Sequence, residues 1–151
     1  MDPRMGGTAQ DAYLAMLRDE IAPKLRALGF KGSGARYVLP DNSRWLILAF
    51  QKNRYSTAEC ISFTINLTGG DKQAWAQAHA TQHWVPAQPS GNLSYPWTDV
   101  VRLGAIANGY DRWWEIEAAR PTNLVATEVI DAIERVGLPW LANWPRDIPR
   151  R

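Results

Sequence analysis

The stretch Glu59–Leu67 constrains the fold most, because apolar and polar side chains alternate along it. Successive side chains of a β-strand point to opposite faces, so this pattern predicts a strand with one apolar and one polar face. Within residues 44–52, apolar side chains occupy both the odd-numbered and the even-numbered positions, so both faces of the strand are apolar. This indicates a central strand covered on both sides. The apolar side of the first strand carries Ile61, Phe63, Ile65 and Leu67, and the polar side carries Cys60, Ser62, Thr64 and Asn66.

Helical spacing of apolar residues predicts a first helix over residues 9–28. Thr8 is its expected N-cap with Asp11 as capping-box partner, Pro23 should kink it, and Gly29 should end it. A second helix is expected from Asp71 to about Trp84, and a last helix from Pro121 to Val136, ending at Gly137.

Further strands are predicted over residues 35–39, 99–104 and 111–118, the last two joined as a hairpin by a turn at Asn108-Gly109. Residues 85–98, with three prolines, are expected to form an irregular connection. This order predicts an α+β fold: a mostly antiparallel sheet of about five strands, with N-terminal, middle and C-terminal helices packed mainly on one face.

Composition bounds the class of protein. The 151 residues are expected to form a flexible leader (1–8), one domain (9–144) and a loose Pro/Arg-rich tail (145–151). No apolar run reaches the ~20 residues that cross a bilayer, and we expect no secretory signal before the domain. With Cys60 as the single cysteine, we expect a cytoplasmic protein without disulfides and without membrane attachment.

Charge is unevenly distributed although the net charge is only +2. Basic residues dominate 24–54, and acidic residues dominate 99–134. The simple interpretation is two solvated surfaces of one fold; the alternative is a basic face for an acidic partner. Because the basic residues do not form a run, we do not expect nucleic-acid binding.

Several fragments occur in an order that resembles the domain-of-unknown-function family DUF4304, over roughly residues 10–141. The resemblance implies a small bacterial cytosolic α+β protein and supplies no activity, cofactor or catalytic residue. The fragments are Leu25–Lys31, Phe50–Lys52, Phe63–Leu67, Arg102–Gly104, Asp111–Trp114 and Gly137–Leu141.

Eight tryptophans point to a binding surface, since tryptophan combines a large apolar body with one N–H donor. Packing the helices on the apolar sheet face leaves the opposite face to water or a ligand. By alternation, that face carries two tryptophans among polar residues, unlike an ordinary solvated surface. The candidate binding residues are Trp45, Gln51, Thr64, Asn66, Arg102, Trp113 and Glu115.

Catalytic and metal motifs are weak. His79 and His83 have the helical spacing of a metal pair but lack a third ligand, and Cys60 is more typical of a small buried hydrophobe than of a nucleophile. Glu115 and Glu117 share one side of a strand, with Asp111 nearby, and could do acid–base work if one were desolvated. We expect no metal, no cofactor and no catalytic residue.

The sequence therefore predicts a non-catalytic cytosolic protein that docks a protein partner through the tryptophan-bearing polar face. By analogy with other small cytosolic bacterial binders, a toxin-neutralising immunity protein is the subclass we name. The alternative is a small-molecule binder or enzyme that uses the same face as a pocket under residues 85–98. A flat face would favour the protein partner, and a deep pocket with a desolvated Glu115 would favour the ligand.

Overall fold

The computed structural model describes residues 7–145; almost all of the expected leader and the tail beyond Pro145 lie outside this range. Its centre is a six-stranded antiparallel sheet in the order β1-β2-β3-β4-β5, with β6 also paired to β4. The α+β prediction is confirmed. The strands are β1 (Lys31–Ser33), β2 (Arg36–Val38), β3 (Arg44–Lys52), β4 (Cys60–Asp71), β5 (Thr98–Arg102) and β6 (Trp114–Glu117).

Strand β4 is longer than predicted and organises one whole side of the sheet. β5 pairs with its segment 66–70 and β6 with its segment 60–63, both along the edge opposite β3. The predicted hairpin between these two strands is therefore wrong. The intervening chain forms helix α4 (Leu103–Asn108), and Gly109 ends it with φ 78°. An Asn-Gly pair suits a left-handed helix cap as well as a hairpin turn.

The N-terminal helix is confirmed over nearly its predicted length. It consists of α1 (Ala9–Met16), a π-helical segment (Leu17–Ile21) and α2 (Ala22–Ala27). Thr8 and Asp11 form the predicted capping box, each side chain bonding the other's backbone N–H at 3.1 Å. Pro23 is the second residue of α2, in the first turn after the π-helical segment, where its missing N–H is tolerated.

The C-terminal helix extends past its predicted end. Helix α5 (Asn123–Ala132) continues through a π-helical segment (Ile133–Gly137) into α6 (Leu138–Asn143). Gly137 has helical φ −66°, and a Cβ there would meet Leu103 of α4 at 3.4 Å, an ordinary contact distance, so the helix continues through this glycine instead of ending there. Trp140 is thus buried within α6. None of the described helices is both long and apolar enough to cross a membrane.

The main core lies between the terminal helices and the predicted apolar face of the sheet, as the alternation indicated. Phe63 of β4 is its aromatic centre: its ring contacts Tyr13 of α1 at 5.3 Å, Phe50 of β3 at 5.9 Å and Trp114 of β6 at 5.9 Å between centroids. Stacked and tilted aromatic pairs of this kind add to the stabilisation that comes from burying their area.

The second sheet face is partly covered, contrary to the expectation that it is open. Helix α3 (Lys72–Thr81), which Asp71 caps as predicted, packs on this face and not with the other helices. It ends three residues earlier than predicted, and residues 82–97 then lie across the strands. Gly91 is so close to Ala49 and Ile47 that a Cβ would overlap them. The covering cluster contains Trp75, Ala78, Val85 and Tyr95, with Trp45 and Trp97 at its margin.

Side chains hold this covering segment in place. Trp75 Nε1 donates to Pro86 O at 3.0 Å, and the ring of Trp75 meets Tyr95 edge-on at 4.7 Å. From β2, Arg36 donates to Gln88 Oε1 at 3.2 Å and to Pro89 O at 3.1 Å. Residues 82–97 are irregular, as predicted, but they form a packed layer of the domain.

Arg44, the first residue of β3, anchors the end of α6 to the start of that strand. Its guanidinium donates to Trp144 O at 2.7 Å and Ala142 O at 3.0 Å, and pairs with Asp41 at 3.0 Å. The Arg44 side-chain hydrogen bond, with the backbone N–H groups of Ser43 and Arg44, holds the pKa of Asp41 well below its usual range.

We predict that Gly91→Ala lowers the free energy of unfolding by about 1–3 kcal/mol, because the added methyl group overlaps Ala49. Ala49→Gly completes a double-mutant cycle, because it removes the Cβ that the new methyl group overlaps. The double variant should therefore lose less free energy of unfolding than the two single variants lose together. Urea unfolding measures all four proteins. Strict additivity, or a Gly91→Ala variant as stable as the parent, would contradict this contact.

Asp41→Asn should destabilise the protein at pH 7, because it removes a carboxylate stabilised by Arg44. The folded-state pKa is depressed, so this stabilisation is complete above the unfolded pKa near 4 and is lost as pH falls through the folded value. The gap in unfolding free energy between parent and variant should therefore narrow below about pH 4. Asp19→Asn, at an exposed pair with Arg18, is the control and should show little effect. A gap independent of pH would refute the role of Asp41.

Candidate functional site

The seven predicted binding residues lie on the second sheet face or its edge, but the structure separates them into distinct environments. Trp45 pairs in register with Gly70, near the opposite end of β3 from Gln51, which pairs with Thr64. Gln51 lies six positions after Trp45 along β3, a distance of about 20 Å. Trp45 packs at the margin of the α3 cluster, with Lys72 Nζ 4.8 Å from its ring. It therefore belongs to the covered part of the face.

Thr64 and Asn66 form a buried polar row on β4, and the half-buried Gln51 lies beside them on β3. Asn66 is only 4% exposed, and its Nδ2 donates to Gln51 Oε1 at 2.7 Å and to Asn92 Oδ1 at 3.0 Å. Asn92 also donates to Phe50 O at 3.3 Å. Fully buried Thr64 donates to Arg112 O at 3.5 Å. The amides of Gln51, Asn66 and Asn92 thus bond to one another and hold residues 82–97 to the sheet, while Thr64 bonds to the backbone of Arg112, so the visible role of these groups is structural.

Arg102 and Trp113 come together, as the sequence suggested, and Asp111 joins them. The Arg102 guanidinium lies 5.0 Å from the centre of the Trp113 ring and donates to Asp111 Oδ2 at 2.6 Å. Trp113 Nε1 donates to the same carboxylate oxygen at 3.3 Å. Each member of the trio thus contacts the other two, which fixes the Arg102 and Trp113 side chains in one arrangement while all three remain accessible.

Local backbone structure places this trio. Arg102 ends β5, opposite Asn66 of β4, and α4 then turns the chain away from the sheet. The chain returns against the start of α4, where Gly104 lies so near the Arg112 carbonyl that a Cβ would overlap it. Without this close approach, residues 111–113 could not lie beside Arg102.

Glu115 stands apart on β6, exposed and opposite Ser62 in register. Burial raises the pKa of the neighbouring Cys60 thiol, and the charges of Glu115 and Glu117 raise it further. A thiol with a raised pKa carries less thiolate at neutral pH, which makes Cys60 a poor nucleophile. Because Glu115 is exposed, the desolvation that acid–base catalysis would need is not provided by Trp113.

Two residues of this region were not singled out by sequence reasoning. Tyr110 precedes the trio and is 64% exposed, and Asn92 links the covering segment to Asn66. An exposed aromatic beside a predicted turn was a usable signal for Tyr110. No sequence pattern marked Asn92, since its partners are brought to it only by the path of an irregular segment.

The histidine pair does not share a helix face. His79 lies in α3 with its Nδ1 2.7 Å from Val85 O, whereas His83 follows the end of the helix at Thr81. Within residues 7–145, no group of three or more His, Cys, Asp or Glu side chains is arranged to hold a metal ion.

Comparison with known proteins identifies the family. The family model described as "Domain of unknown function (DUF4304)" matches residues 21–143, which is most of the chain, so the protein belongs to this family. The match ends close to the bound expected from the sequence and begins within the N-terminal helix. No curated protein and no solved structure matches the chain.

Asn66→Ala should lower the free energy of unfolding by about 1–3 kcal/mol, because it removes a buried amide that donates two hydrogen bonds, to the side-chain oxygens of Gln51 and Asn92. Glu115→Gln, an exposed change on the same sheet face, is the control and should stay within about 0.5 kcal/mol of the parent. Urea unfolding of the three proteins checks this. Equal stability of parent and Asn66→Ala would show that the buried row is not structural.

Proposed function

We propose that this DUF4304 protein is a non-catalytic binding protein that docks a protein partner through the surface formed by Arg102, Tyr110, Asp111 and Trp113, called here the Arg102 surface. The observation that carries the proposal is the accessible Arg102–Asp111–Trp113 trio, held together by an ion pair, a hydrogen bond and a cation–π contact. An internal structural role would not require these three side chains to be accessible.

The composition of the Arg102 surface supports a protein partner. Tryptophan, tyrosine and arginine are the residues that most often dominate the energy of protein interfaces. Here the Arg102 and Trp113 side chains are already ordered by Asp111, so less conformational entropy is lost when a partner binds. Ile106, which is 39% exposed, lies on the helix α4 that connects Arg102 to Tyr110 and adds apolar area.

The alternative, a pocket under residues 85–98, receives less support. At Gly91 the covering segment is in direct contact with Ala49 and Ile47, so the segment rests on the sheet there and does not arch over it. Glu115 is exposed and lies outside any desolvated setting with Trp113. Both observations favour a partner that binds on the surface over a ligand enclosed beneath the segment.

The proposal includes two finer expectations from the sequence. We place the protein in the cytoplasm, where Cys60 would remain a thiol. A toxin-neutralising role stays a prediction, and identification of the partner tests it.

Photo-crosslinking from the Arg102 surface tests the docking proposal. Benzoylphenylalanine at Tyr110 should give a discrete protein adduct in cells of the source organism, and the same probe at Leu124 is the control. Leu124 is 76% exposed on α5, so it offers comparable access at a different place. Mass spectrometry identifies the adduct.

Trp113→Ala with Arg102→Ala should reduce the Tyr110 adduct at least tenfold, since interface hot spots each contribute about 2 kcal/mol or more. Circular dichroism should show an unchanged fold, because all three side chains of the trio are accessible. The same adduct from both probe positions, or an adduct that survives the double substitution, would refute the assignment.

A further inference from the structure

A concave site lies on the other side of the sheet from the Arg102 surface. A cavity of about 520 Å³ opens between the start of α1 and the connection from β3 to β4, residues 53–59. Lys52 lies on the same face of β3 as the core residues Leu48 and Phe50. This places the cavity on the side of the sheet that carries the terminal helices. Its volume falls within the range typical of small-molecule sites.

Hydrogen bonds fix the shape of this cavity. Thr57 Oγ1 accepts from the backbone N–H groups of Glu59 and Cys60 at 3.3 and 3.2 Å. Ser62 N donates to Ser56 Oγ at 3.2 Å, and Ala9 N donates to Ala58 O at 2.7 Å. The connection is therefore bound both to β4 and to α1, so the cavity wall is ordered before any ligand arrives.

Two cations line the cavity, and their charges are not neutralised within the described part of the chain. Lys52 Nζ donates to the neutral Gln10 side chain at 2.8 Å. The Arg54 guanidinium stacks 4.9 Å over the Tyr55 ring and donates to its hydroxyl at 2.7 Å. By contrast, most arginines of residues 7–145 pair with a carboxylate, as Arg102 does with Asp111.

The rest of the lining is consistent with an anionic ligand that also has an apolar part. Ile61 and Ala58 provide apolar surface, while Thr8, Asn53, Ser56 and Thr57 provide hydroxyl and amide groups. The carboxylate of Asp11 does not belong to the lining; it accepts from the Thr8 backbone N–H at 3.1 Å. Guanidinium and ammonium groups beside an apolar floor recognise an oxyanion attached to a small organic body.

We propose that this cavity binds a small organic oxyanion, a carboxylate or phosphate monoester, with its charged group against Lys52 and Arg54 and its apolar part against Ile61. The site is separate from the proposed protein-binding surface, so either can exist without the other. It also gives a role to Lys52 and Arg54, the last two basic residues of the stretch 24–54, which the Arg102 surface does not use.

NMR titration of the whole protein with phenyl phosphate and with benzoate tests the proposal. Saturable amide shifts should centre on residues 53–58. Lys52→Gln and Arg54→Gln should each weaken the affinity about tenfold, since a hydrogen bond to a charged group contributes about 1.5 kcal/mol or more. Lys31→Gln removes the same charge from exposed β1 and should leave the affinity unchanged.

The probe that binds more tightly identifies the oxyanion that the cavity prefers, and either preference supports the proposal. The absence of saturable shifts at residues 53–58 with both probes would overturn it. Equal affinities for the parent, Lys52→Gln and Arg54→Gln would overturn it as well, because binding would then not depend on the two cations. Amide spectra of the unliganded variants confirm that each is folded.

Discussion

The pairing of strand β4 is the constraint on which the rest of the structure depends. β4 is bonded to β3 along one edge and to β5 and β6 along the other, and it is buried over most of its length. Most of its side chains must therefore find their contacts within the protein. On one face Phe63 meets this requirement through ring contacts; on the other, Asn66 meets it through amide hydrogen bonds.

The covering of the second face decides where binding can occur. Helix α3 and residues 82–97 cover this face from Trp45 at one end of β3 to Asn66 of β4. Asn66 donates to Asn92 of the covering segment and is paired in register with Arg102 of β5. The covered region thus ends beside Arg102. Beyond it lie the Arg102–Asp111–Trp113 trio and Tyr110, accessible because no further segment of the described chain covers them.

The sequence was sufficient for features that depend on local periodicity. Alternation along residues 59–67 predicted the core-facing side chains, and the Thr8–Asp11 spacing predicted the capping box. It was insufficient where one residue type serves two geometries. Asn108-Gly109 ends a helix instead of forming a hairpin, and Gly137 lies within a helix instead of ending it.

The candidate site was predictable only in part, for a different reason. Alternation correctly placed Arg102 and Trp113 close together, but it could not show that Thr64 and Asn66 are buried. That burial depends on an irregular segment whose path is determined by long-range contacts, such as Gly91 with Ala49 and Arg36 with Pro89. Sequence patterns carry no periodic signal for contacts of this kind.

Hydroxyl-radical footprinting of the tryptophans, with and without the crosslinked partner, tests the central claim most directly. Trp113 belongs to the Arg102 surface, whereas Trp84 is 53% exposed on the covering segment and serves as the internal control. The account predicts that the partner protects Trp113 and leaves the oxidation rate of Trp84 unchanged. Protection of Trp84 with continued oxidation of Trp113 would contradict it.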